Sequence, residues 1–217
     1  MKVDKEPIKR SYNFEVRARE EPGEEEKRYI IEGRPIVYDS VTDLGYMYEV
    51  IDAGALDGAD MSDVRMLVNH NTYMIPLARC LGKKGTMQLT ADDKGLMFDA
   101  SLDVENNTDA RSLYSAVSRG DVTGMSFMFF VDTEEWEDLE SDKPTRRIKK
   151  ISTVLEISAV TFPAYEDTEI YTRDKRDLET ARRMLEARKS NGELTGGSRN
   201  LPPRVRAILR MYGGKER

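Results

Sequence analysis

Of the 217 residues, one is cysteine and one is histidine, and those two scarcities exclude a good deal. A lone Cys80 allows no internal disulfide framework, and Cys80 with His70 cannot furnish a protein-only zinc site of the usual four ligands. No structural metal and no cofactor is expected. Long apolar runs are missing too. None approaches the ~18–20 residues of a membrane span, and Met1 to Arg10 lacks the apolar stretch of a secretory signal. The chain should therefore stay where it is made, with no membrane partner. Nor is there a basic excess: 34 Lys+Arg stand against 40 Asp+Glu, a net charge of −6. That balance speaks against nucleic acid as a partner, because phosphate contacts demand a basic surface.

What is present suffices for a core. Hydrophobic residues make up 39% of the chain, and the length suits one domain of ~100–200 residues with an appendage. Charge locates the appendage: residues 173–217 hold 13 Lys+Arg and 6 Asp+Glu, a net +7, which leaves −13 for residues 1–172. At the other end, the run Glu20 to Glu26 is too charged to enter a core. The expected division is a flexible segment over 1–26, with weak order from Tyr12 to Val16, a folded body over 27–172, and a basic helical extension over 173–217.

Within the body, β-branched and alternating patterns predict strands. Arg28 to Tyr38 reads as strand, bend, strand around Gly33 and Pro35. Val64 to Val68, Met87 to Thr90 and Leu96 to Leu102 follow, the last alternating Leu96, Phe98, Ala100 and Leu102 with more polar residues. Thr108 to Arg119 places Ala110, Leu113, Ala116 and Val117 at helical spacing, with Asn107 or Thr108 to cap it and Gly120 to close it, so a helix should lie on the sheet. Met125 to Val131 is almost wholly apolar, a strand buried on both faces. The polar stretch Asp132 to Lys150 contains a turn at Ser141 to Pro144, and a strand resumes from Ile151 to Phe162. Asp174 to Lys189 carries a thin apolar seam and predicts a solvated helix. A linker over 190–200 and a last short helix from Pro202 complete the chain. The fold class expected is α+β: a mostly antiparallel, β-barrel-like core with packed helices and a helical C-terminal extension.

Three residues in these strands stand out chemically. His70 is the chain's one imidazole and ends the strand Val64 to Val68 in the sequence Asn69-His70-Asn71. Such a residue is a general base or an ordinary surface or core histidine. Ser126 sits inside the apolar strand, where an unbonded hydroxyl costs ~1–3 kcal/mol. It is either a small core serine or a nucleophile on a rigid element, with Gly124 leaving room for a substrate backbone. Glu156 is a carboxylate in the apolar run Val154 to Val160, on a face with Ser152, Val154, Ser158 and Val160. It either pairs with an arginine or accepts the Nδ1–H of His70, leaving Nε2 to take a proton from Ser126. Cys80 reads as an inert buried thiol, since neighbouring Arg79 points to the other face of a strand.

The succession of segments around these residues resembles the prohead (capsid maturation) protease family of tailed bacteriophages, which is similar in fold and chemistry to the herpesvirus assemblin proteases. The resemblance is carried by Glu49 to Leu56, Val68 to Asn71, Asp93 to Leu96, Val117 to Gly120, Gly124 to Phe127 and Leu155 to Ala164, over about residues 28–170. It implies a serine endopeptidase with Ser126 as nucleophile and His70 as base. Glu156 is the third member, with Asp103 and Asp99 as fallbacks, because the herpesvirus relatives use a second histidine that this chain lacks. The implied substrates are the scaffold, or a scaffold-like segment of the major capsid protein, and the protease itself. The implied setting is self-association inside the procapsid in the host cytoplasm. The rival from another class is a non-catalytic phage structural protein, tail-tube-like or a scaffold component, with a related β fold. Backbone N–H groups should hold the oxyanion, the turn Ser118 to Gly120 being one candidate.

Overall fold

The structure, a computed structural model, describes residues 7–12, 16–22, 27–82, 84–162 and 168–190. Twelve strands and two helices are formed: β1 Ile8–Tyr12, β2 Val16–Glu21, β3 Arg28–Val37, β4 Thr42–Asp43, β5 Tyr48–Ile51, β6 Asp63–Val68, β7 Ala78–Leu81, β8 Lys84–Gly85, β9 Met87–Asp92, β10 Gly95–Leu102, α1 Thr108–Arg119, β11 Gly124–Glu137, β12 Thr145–Val160 and α2 Thr168–Ser190. The first two strands fall within the arm expected to be flexible. Polar composition hid them because each is short and gains its stability from pairing with long strands of the body. The expected boundary between 172 and 173 lies inside α2, and the linker and last helix expected beyond 190 lie outside the described residues.

The described residues are mostly β with two helices. An eight-stranded sheet runs β1-β11-β12-β6-β7-β8, with β4 and β5 branching from β12, and an antiparallel four-stranded sheet runs β2-β3-β10-β9. Both sheets are open among the described residues, so the barrel-like closure expected from the strand pattern is not what the pairing gives. The larger sheet is also mixed, since β12 pairs in parallel with β5 at one end and with β6 at the other. Alternation of apolar residues reports which face is buried and carries no information about strand direction.

The core lies between the sheets. Ile31, Ile36, Phe98 and Ala100 of the smaller sheet join Met125, Phe127, Phe129 and Val131 of β11 and Ile157 and Ala159 of β12. The opposite face of β11 carries Ser126, Met128 and Phe130, of which Met128 and Phe130 are only half-buried. The stretch read as a polar connection is in fact strand: β11 continues to Glu137 and β12 starts at Thr145, with Trp136 and Ile148 facing inward.

The helix α1 has the predicted bounds. Asn107 accepts hydrogen bonds from the Asp109 and Ala110 N–H groups. Gly120 closes the helix at φ 78°, the left-handed conformation glycine adopts without a Cβ clash. Ala110, Leu113 and Val117 are buried, the helix packs on β2, β3 and β10, and Tyr114 meets Tyr29 edge-on at 5.2 Å.

Candidate active site

Three neighbouring strands deliver the site. On β11, Ser126 lies opposite Ser158 of β12. On the far side of β12, β6 runs parallel with Leu67 opposite Ser158 and Val68 opposite Ala159. The chain leaving β6 must then fold back across β12 to reach Ser126. It does so in a turn over Val68 to Asn71, closed by the Asn71 N–H donating to the Val68 carbonyl at 3.0 Å. The two central residues, Asn69 and His70, take φ of 50° and 54°, a region costing about 1–3 kcal/mol for a residue other than glycine. Anchors hold the turn in that state. Asn69 donates from Nδ2 to Thr161 Oγ1 at 3.0 Å and accepts the Thr161 N–H at 2.9 Å, while the His70 N–H donates to Ser158 Oγ at 3.1 Å.

The imidazole so placed bridges the other two residues. His70 Nε2 is 2.5 Å from Ser126 Oγ, and His70 Nδ1 is hydrogen-bonded to Glu156 Oε1. Glu156 is buried, and its second oxygen accepts the Ser158 hydroxyl at 2.7 Å. The structure thus brings Ser126, His70 and Glu156 into one line of hydrogen bonds. Such a line can move a proton from hydroxyl to imidazole while the carboxylate steadies the charged ring. The alternative acids are engaged elsewhere: Asp99 pairs with Arg19 at 2.5 Å, and Asp103 accepts the Asn106 N–H at 3.0 Å.

Val154 departs from the expected face. Met128 of β11 pairs with Glu156, but the next residue, Phe129, pairs with Val154, so Leu155 is an extra residue on β12. This bulge reverses the alternation on its two sides: Val154 turns into the core while Glu156 and Ser158 face His70.

Two participants were not singled out from sequence. Ser158 is fully buried and ties the backbone of His70 to the carboxylate of Glu156. Its signal was present, since a hydroxyl in an apolar strand demands a partner as much as Ser126 does. The second is β1. It pairs antiparallel with β11, setting Ser11 opposite Ser126. The Ser11 hydroxyl donates to Ser126 Oγ at 2.9 Å, and Ser126 Oγ donates to the Arg10 carbonyl at 2.7 Å. Nothing in the polar composition of residues 8–12 marks that role.

Gly120 supplies no oxyanion donor, because its N–H is spent on the Val117 carbonyl that ends α1. Cys80 is buried, and burial pushes its thiol pKa up, while Arg79 reaches away to Asp63 at 2.7 and 2.8 Å. No cluster of three or more metal-ligating side chains occurs among the described residues, and no described helix is long and apolar enough to cross a membrane.

No curated protein matches the sequence. Among solved structures, the bacteriophage T4 capsid assembly protease aligns at 10% identity with a TM-score of 0.36, covering 70% of this chain and 98% of that one, a likeness too loose to argue from. The sequence itself matches the Caudovirus prohead serine proteases over residues 12–183, a span that contains all three residues of the hydrogen-bonded line and most of both sheets, and the chain belongs to that family.

Proposed function

We propose that Ser126, His70 and Glu156 are the catalytic residues of this prohead serine protease. The observation that carries the assignment is the single histidine joining the one buried serine hydroxyl of β11 to the one buried carboxylate of β12. Ser126 Oγ adds to the scissile carbonyl as His70 Nε2 takes its proton, with Glu156 fixing the tautomer and stabilising the imidazolium. Collapse of the tetrahedral intermediate breaks the C–N bond as His70 returns the proton to the leaving amine. Water, activated by the same imidazole, then hydrolyses the acyl ester.

The substrates proposed are the scaffold, or a scaffold-like segment of the major capsid protein, and the protease chain itself, cut within the procapsid during maturation. Co-expression with the cognate capsid protein, followed by mass measurement of every fragment, tests the substrate. A fluorophosphonate tests the site: it should label Ser126, and Ser126→Ala and His70→Ala should each abolish both labelling and proteolysis in a folded protein. The double variant should be scarcely worse than either, because the members act as a unit. Full processing by Ser126→Ala would refute the assignment.

A further inference from the structure

Ser126 is 0% exposed, and a nucleophile that no substrate carbonyl can touch requires something to move. What covers it includes β1, five residues at the edge of the larger sheet. The contact is chemically specific. A hydroxyl has one proton, and two acceptors compete for it here, the Arg10 carbonyl oxygen at 2.7 Å and His70 Nε2 at 2.5 Å. Nucleophilic attack needs the proton on the side of His70 and an oxygen lone pair facing a carbonyl carbon, whereas β1 brings a carbonyl oxygen to Ser126 Oγ. As docked, β1 sets a peptide carbonyl against the nucleophile in an unreactive pose.

The Arg10 side chain is held as specifically as its carbonyl. It lies on the other face of β1 from Ser11, is 3% exposed, and makes two parallel bonds to Glu49, Nε to Oε1 at 2.5 Å and Nη2 to Oε2 at 2.8 Å. Glu49 is 1% exposed and lies 3.5 Å from Arg146, which also pairs with Glu134. Withdrawing the Arg10 guanidinium takes one positive charge out of this buried cluster, and removing one partner of a buried ion pair is costly. An incoming Arg side chain would restore both the charge and the paired hydrogen bonds.

We propose that the edge of β11 beside Ser126 is the strand on which substrate peptides dock. At rest β1 of the same chain occupies that position, and Glu49 selects a basic side chain at the residue whose carbonyl meets Ser126. This inference rests on the assignment of Ser126 as nucleophile. An extended peptide exchanges for β1, its backbone taking over the ladder with β11 and its alternate side chains reading the two faces. Arg is preferred over Lys because only a guanidinium makes the paired contact. Tethering gives β1 an effective concentration of about millimolar, so dilute substrate is cleaved slowly and substrate concentrated around the enzyme displaces the strand.

Lys9 and Met128 face each other across the two strands, and replacing both by cysteine allows a disulfide to lock β1 in place. The oxidised Lys9→Cys/Met128→Cys chain should lose peptide cleavage and fluorophosphonate labelling by about 100-fold or more, and reduction should restore both. Met128→Cys carrying only a methylthio group should stay active, which excludes simple obstruction by the added sulfur. In the reduced protein, peptides with Arg at the acyl position should be cut about 100-fold better than those with Leu. A locked chain as active as the reduced one overturns the proposal while leaving Ser126 as nucleophile, and so does a methylthio variant that is itself inactive. Equal cleavage of the Arg and Leu peptides overturns the role of Glu49. Absence of labelling and cleavage in the locked, reduced and unmodified proteins alike overturns the nucleophile assignment and this proposal with it.

Discussion

Ser158 does for the site what none of the three reacting residues can do for itself. His70 sits in a left-handed turn that carries a conformational cost, and Glu156 is a carboxylate taken out of water. One hydroxyl meets both needs by accepting the His70 N–H and donating to the free oxygen of Glu156. Ser158→Ala leaves a buried donor and a buried carboxylate each short of a partner, a loss of about 1–3 kcal/mol. Because that loss falls on the placement of the imidazole, kcat should drop by roughly 10–100-fold with KM nearly unchanged. A fall in melting temperature with kcat intact would make Ser158 purely structural. Glu156→Gln should also keep the fold and lower turnover, by less than loss of the nucleophile does, since an amide cannot stabilise the imidazolium. Asp99→Asn and Asp103→Asn should leave turnover unchanged. At this scale the sequence is readable wherever a residue type clashes with its surroundings: a hydroxyl or carboxylate in an apolar strand declares itself by the cost of burying it. Glu49, beside Val50 and Ile51, met that condition and marks the partner of Arg10. Arg10 and Ser11 met no such condition, since polar residues in a polar segment clash with nothing.

Elements are legible to the extent that their signals are local. The cap at Asn107, the apolar spacing of α1 and the glycine that ends it all lie within 14 residues, and the helix forms where they place it. The bulge at Leu155 is different, because it exists only in relation to β11 and no property of Val154 distinguishes an inward from an outward position. The hairpin of β9 and β10 shows what local chemistry adds to a strand pair. Asp92 accepts the N–H groups of Lys94 and Gly95 at the turn and two bonds from Arg34 of β3, both at 2.6 Å. The Arg34 guanidinium, with help from those N–H groups, holds the Asp92 carboxyl well below the usual carboxylate range. A depressed folded pKa means stability that is present above the ordinary value of ~3.9 and lost as pH falls through the lower folded one. Asp92→Asn can keep the turn bonds but not the charge pair. Its melting temperature should therefore fall below that of the wild type near neutrality, and the gap should close as acid protonates Asp92 in the parent. A gap that is constant from neutrality down to strong acid would show that the ion pair contributes nothing.

For the whole molecule, charge and topology point to the same arrangement. The body is acidic and residues 173–217 are basic, and α2 meets the turn between β11 and β12 through polar contacts and ion pairs of both signs. Arg182 donates to the Leu139 and Ser141 carbonyls at 2.9 and 2.8 Å, Lys189 pairs with Glu140, and Asp177 comes within 3.9 Å of the buried Arg146. The apolar seam predicted for this helix finds a partner: Leu178 packs with Met47 and Trp136, and Ala181 lies beside them. That second small core could not be anticipated, because Trp136 lies in a stretch whose charged residues read as a connection. Leu178→Ala should cost about 2 kcal/mol, the low end for a buried leucine, since its pocket lies at the margin and can collapse. Ending the chain after Tyr171 removes the same cover from Trp136 and Met47 and should lower the melting temperature by roughly 4–8 °C. The site should tolerate the loss: α2 docks at the far end of β11, around Trp136, whereas Ser126 lies near its start. For a short peptide, kcat/KM should therefore change by less than about threefold, under ~0.7 kcal/mol. A large loss of kcat/KM at a temperature where the truncated protein remains folded would mean that the Arg146 cluster transmits the state of α2 to Glu49, and through it to the strand that covers Ser126.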